Sequence, residues 1–161
     1  MKYETVTGPF SRFYDQMKAI YDELMAKHGG DFDKVRAEMP KKNYVASSLP
    51  QHVKGVLEKT SKGIKEIRAE SLFFSADSIA KQFNHHPGMS AEIYSNLFAK
   101  IKDCAEFYDE KYFHAALVVE NNDYYKIMIK MTKDGSEVYI ISLFKLRDNQ
   151  LTHLRQYGKR I

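Results

Sequence analysis

Two periodicities divide the chain. Through residues 1–60 apolar side chains recur at three- and four-residue spacing, as in Phe10, Phe13, Met17, Ile20 and Leu24, which predicts an amphipathic helix. Gly29-Gly30 stops it, because glycine enters the left-handed conformation in which helices end. Asp31 to Met39 reads as a short helix closed by Pro40. Ser48-Leu49-Pro50-Gln51 reads as a capping box with proline in the first turn, opening a helix that runs to about Glu58. Lys62-Gly63 makes a joint, so the chain divides into a helical N-terminal segment, 1–62, and a second unit, 63–161. Ile64 and Ile67 fit a helix, whereas Leu72-Phe73-Phe74 reads as a short strand. Ser75 then caps a helix with Asp77 in its first turn, and His86-Pro87 ends it, since the residue before proline avoids the helical region. Ser90 caps a further helix carrying Ile93, Leu97 and Ile101.

After Cys104 the period becomes two. Ala105–Tyr108 and Tyr112–Glu120 read as strands, and Asn121-Asn122-Asp123 as a turn. Tyr124–Thr132 alternates, with Tyr125, Ile127, Ile129 and Met131 on one face and Lys126, Met128 and Lys130 on the other. Lys133-Asp134-Gly135 turns the chain into a last strand, Val138–Leu146, and Asp148 caps a short final helix. The expected architecture is α+β, with N-terminal helices packed on a four-stranded antiparallel β-meander.

Composition supports a packed domain and narrows the setting. At 161 residues with 43% hydrophobic side chains, the chain can bury a core without staples. Cys104 is the one cysteine, so neither an internal disulfide nor a cysteine-cluster zinc site is available. No apolar run has the length of a membrane span, and the N-terminus lacks the apolar stretch of a signal peptide. The expected setting is the cytoplasm, either as made or after delivery of a toxin domain into a target cell. The formal charge is +4, spread evenly, which permits a polyanionic partner without demanding one.

No glycine-rich phosphate loop, His-Glu-x-x-His or Gly-x-Ser-x-Gly motif is present. The best chemical lead is His85-His86. Ile79, Phe83 and His86 share one helical stripe, so His86 faces the sheet and His85 faces solvent. The last hairpin adds cations. A three-residue loop ending in Gly135 pairs Thr132 with Ser136, sets Lys126 opposite Ser142 and Lys130 opposite Val138, and leaves Tyr139, Ile141 and Leu143 on the core face.

Phe74-Ser75-Ala76-Asp77-Ser78-Ile79-Ala80-Lys81-Gln82, His86-Pro87 and Ile93-Tyr94 resemble the opening of the phage-associated barnase–EndoU–colicin–RelE-like (BECR-fold) nucleases. Tyr124 to Thr132, Asp134-Gly135 and Tyr139 to Phe144 are similar to that family's lysine-bearing strand, turn and Ser/Thr-Phe strand. The resemblance covers about residues 66–146. It implies a metal-independent ribonuclease without cofactor, a toxin acting on RNA with tRNA as a candidate target, and met by an antitoxin or immunity protein. It implies His86, Lys130 and Ser142 as the catalytic set. Lys81 matches a further family position, Lys126 shares the basic face, and the doubled His85-His86 leaves open which histidine acts. Two other readings stand beside it: a non-catalytic RNA- or protein-binding module on the same fold, and an interaction protein working through its N-terminal helices.

Overall fold

A computed structural model describes residues 3–59 and 66–161. Its frame is one eight-stranded mixed sheet, ordered β1-β2-β3-β7-β6-β5-β4-β8. In chain order the elements are β1 (Glu4–Val6), α1 (Phe10–Lys27), α2 (Phe32–Glu38), β2 (Lys42–Ser48), α3 (Gln51–Lys59), β3 (Ser71–Ser75) and α4 (Ala76–His85). They continue as α5 (Ala91–Ile101), β4 (Glu106–Asp109), β5 (His114–Glu120), β6 (Asp123–Met131), β7 (Val138–Lys145), α6 (Asp148–Tyr157) and β8 (Lys159–Arg160).

The expectation of helices on a four-stranded antiparallel meander is therefore overturned. The strands β4 to β7 do pair consecutively and antiparallel, but they form only the middle of a larger sheet. Beyond β7 lies β3, paired parallel through Leu72↔Val138 and Phe74↔Ile140. Next come β2, antiparallel to β3, and β1, parallel to β2. The segment expected to be wholly helical thus supplies two strands, and sheet pairing runs across the expected division of the chain. The Lys62-Gly63 joint and Ile64 lie outside the described residues. The physical reason for the miss is length. β1 and β8 have three and two residues, too few for a period to register. In β2 only Tyr44-Val45-Ala46 is apolar, between polar neighbours. Ser48, expected as a helix cap, is the last residue of that strand.

Helices α1, α4 and α5 cover one face of the sheet. Phe10, Phe13, Met17 and Tyr21 of α1 are buried, as their spacing dictates. Phe10 lies edge-on to Phe98 of α5 at 5.1 Å between ring centroids and to Tyr44 of β2 at 5.2 Å. Phe74 of β3 and Tyr94 of α5 complete this aromatic centre. Each such pair contributes about 0.5–1.5 kcal/mol beyond the area it buries. The caps are local: Ser75 accepts from the Ser78 amide at 3.1 Å, and Ser90 from the Ile93 amide at 3.3 Å.

The β6–β7 register differs from expectation. Gly135 takes the left-handed φ of 71° as the turn requires, but the last ladder pair is Met131↔Val138. A bulge then inserts one residue in β7, because Ile129 pairs with Ile140 while Met128 pairs with Ser142. Lys130 consequently stands opposite Tyr139, and Lys126 opposite Phe144, correcting the Val138 and Ser142 assignments. The core face of β7 is Val138, Ile140 and Leu143, in place of Tyr139, Ile141 and Leu143. Tyr125, Ile127, Ile129 and Met131 of β6 are buried, as their alternation predicts.

Candidate functional site

The bulge shapes the candidate site. β3 pairs with β7 only through Ile140, then turns at Ser75 into α4. From Leu143 onward that edge of β7 has no strand partner, and α4 runs beside it. The backbone groups exposed there still need partners, since an unpaired buried amide costs about 1–3 kcal/mol. Gln82, buried in α4, supplies them. Its Oε1 accepts from the Leu143 amide at 3.1 Å, and its Nε2 donates to the Leu143 carbonyl at 2.7 Å. The same amide donates to the Tyr94 hydroxyl and accepts from the Ser142 hydroxyl, both at 3.1 Å.

One turn further along α4, His86 closes the helix, with its backbone N–H on the Gln82 carbonyl at 2.7 Å. Its ring lies on Phe144 of β7, with centroids 5.3 Å apart and planes within 11°. Burial is the main reason its pKa falls below the ordinary value, and the positive charge of His85 lowers it further. The neutral imidazole is thus the resting form near neutral pH. His85 is exposed, its ring edge-on to Phe32 at 6.0 Å.

His86, His85, Lys81 and Ser142 line one pocket of about 210 Å³, floored by Met128 and Ile141. Lys81 is tethered from behind: Asp77, one turn earlier, lies 3.8 Å from its ammonium and is itself held by Arg36 at 2.9 and 3.1 Å. Lys130 is not in this pocket. It is exposed and lines an adjoining hollow with Lys133 and Tyr139, and Ile141 is shared by the two. Lys126 stands opposite Phe144 across the β6–β7 ladder, paired with Glu110 at 2.8 Å and over the Phe113 ring at 5.6 Å. The three β6 residues Lys126, Met128 and Lys130 share the face opposite the core. The site is therefore a strip along β6–β7 with His86 and Ser142 near its middle.

Sequence reasoning missed Gln82. It sits between Ile79 and His86 on the stripe already assigned to the sheet, so its burial was legible; its use as a surrogate strand was not. Tyr139 was also passed over. It accepts from the Asn43 side chain at 2.9 Å and donates to Glu137 at 3.1 Å, and burial pushes its phenol up to about 12. Across the turn, the Ser136 hydroxyl and amide and the Thr132 hydroxyl hold the Asp134 carboxyl down to about 2. Among the described residues no helix is long and apolar enough to cross a membrane. Comparison with protein-family models, curated proteins and solved structures finds no match for this chain.

Proposed function

We propose that this protein is a ribonuclease that cleaves RNA through the RNA's own 2′-hydroxyl, with His86 as the general base. The observation that carries the reading is the pocket in which a neutral, half-buried imidazole meets a serine hydroxyl and a lysine on an open, basic strip. A base must be unprotonated to act, and burial keeps His86 so. The Ser142 proton is engaged by Gln82, which leaves the hydroxyl's lone pairs free to accept from the ribose. Lys81 at the pocket, and Lys130 in the adjoining hollow, place positive charge where a phosphorane gathers negative charge.

In this mechanism His86 takes the 2′-hydroxyl proton and the 2′-oxygen attacks phosphorus. The bond from phosphorus to the 5′-oxygen breaks, and that oxygen takes a proton from water at the open face. The products are a 2′,3′-cyclic phosphate and a 5′-hydroxyl. The chemistry draws on protons and charge alone, so the reaction is proposed to need no metal.

Product-end analysis tests it. Purified protein with an RNA oligonucleotide in chelator should leave cyclic phosphate and 5′-hydroxyl ends, and a single 2′-deoxy substitution at the cut position should block cleavage there. Cleavage of the 2′-deoxy substrate, or 3′-hydroxyl products, would contradict the reading. Binding of RNA without any cleavage would favour a binding module on the same face.

A further inference from the structure

Helix α6 lies on the face of the sheet opposite the core, and its hold there is slight. On that face Ala115 and Leu117 of β5 stand beside Met128 and Lys126 of β6, and Tyr108 of β4 stands beside Ala115. Tyr108, Ala115 and Leu117 are buried, yet they stand apart from the main core. α6 runs over this second cluster and buries no residue of its own; its Leu151 and Leu154 are only half-buried. A lone helix of 10 residues is marginal in water, so α6 depends on being docked.

The holds that dock it are few. Arg155 grips Glu106 with both arms at 3.1 Å, and its guanidinium lies over the Tyr124 ring at 4.7 Å. Gly158 lies so close to the sheet that a Cβ there would stand 2.8 Å from the Tyr108 ring. β8 adds two ladder pairs, Tyr108↔Arg160 and Asp109↔Lys159, and the Ile161 amide donates to the Phe107 carbonyl at 3.0 Å. At the other end Leu146 is buried and its amide donates to the Tyr124 carbonyl at 2.8 Å, which anchors the start of the segment. Segments with so little buried apolar surface open locally, well before the whole domain unfolds.

We infer that α6 and β8 form a strap, latched by Arg155 on Glu106, which undocks from the sheet as one unit and gates the basic strip. Tyr124, Lys126, Met128 and Lys130 alternate along the outer face of β6. Docked, the strap covers Tyr124 through Arg155 and walls a hollow of about 560 Å³ with Lys126. Met128 lines the His86 pocket and Lys130 the adjoining hollow, so the docked strap ends the open strip between Lys126 and Met128. Undocking continues it along the whole of β6. A polyanion that fits only the open form draws the equilibrium toward it. The undocking stands on the fold alone; the gating rests on the RNA reading.

The test joins native-state amide hydrogen exchange with the binding of an all-2′-O-methyl oligoribonucleotide, which has no 2′-hydroxyl proton to lose and is not cut. In the wild type, α6 and β8 amides should exchange together through an opening that hardly responds to low urea, because little surface is exposed. β6 amides should respond steeply. Arg155→Ala should speed α6 and β8 exchange by about tenfold. It should also tighten the oligonucleotide, by up to about tenfold, because more of the protein is open. That sign is diagnostic, since losing a cation otherwise weakens nucleic-acid binding. Gly158→Ala, which keeps the charge and acts through the Tyr108 contact, should do the same. Exchange of α6 with the urea response of β6, or β8 left behind when α6 speeds up, would overturn the strap. Weaker or unchanged binding by both variants would overturn the gate. No binding by any form, with α6 and β8 still opening together, removes the RNA reading and its gate and leaves the strap.

Discussion

Gln82 and Leu143 are joined as two strands would be: one side-chain amide gives Leu143 both a donor, at 2.7 Å, and an acceptor, at 3.1 Å. That relationship lets β7 continue past its last strand partner, and it places Ser142 and His86 on the same pocket. Replacing Gln82 with leucine keeps the volume and removes the bonds. Each orphaned backbone group costs about 1–3 kcal/mol, so Gln82→Leu should lower the urea midpoint markedly. Gln82→Glu, which keeps the acceptor only, should fall between. An unchanged midpoint for Gln82→Leu would show that the edge of β7 does not depend on this amide.

Stability should carry a signature of His86. Its folded pKa lies below the ordinary value of about 6.5, so the unfolded chain binds this proton more readily than the folded one. The cost is absent at higher pH, grows as pH falls through about 6.5, and levels off below the folded pKa. The stability of the wild type relative to His86→Gln should therefore decline as pH falls through about 6.5. A flat difference would mean that His86 titrates as it does in water.

Phe144 provides part of the burial that keeps His86 neutral. Phe144→Ala should admit water to one face of the imidazole and raise its pKa toward the ordinary value, as read by its ring proton shifts in NMR. No movement would assign the shift to His85 and the rest of the pocket instead.

Lys130 is exposed and has no ion-pair partner among the described residues. Lys130→Ala should change stability by no more than about 0.5 kcal/mol. RNA binding should weaken, with the slope of log affinity against log salt reduced by about one. An unchanged salt slope would remove Lys130 from the phosphate path.

The sequence foretold much of the middle of this structure, and the reasons for the gaps are specific. Ser75, Ser90 and the alternating β6 carried strong local signals, because caps and two-residue periods are written in adjacent side chains. The β7 register did not, because the bulge at Ile141-Ser142 serves two distant demands. It turns both Ile140 and Leu143 to the core and brings Leu143 to Gln82 on another element. The parallel β3–β7 contact joins segments that are far apart in the chain, so no local period announces it. For the candidate site, the helix stripe placed His86 against the sheet, and Lys130, set opposite Tyr139 by the bulged register, lines the hollow that adjoins the His86 pocket.

The central claim is that the His86 imidazole moves the 2′-hydroxyl proton, and single-turnover cleavage of an RNA oligonucleotide in chelator by the wild type and by His86→Ala measures it most directly. A general base contributes about 10²–10⁴-fold, so the variant should lose that much rate while keeping its fold and its affinity for RNA. The wild-type rate should also fall as pH drops and His86 takes up its proton. A folded His86→Ala protein that cuts RNA at the wild-type rate would contradict the account.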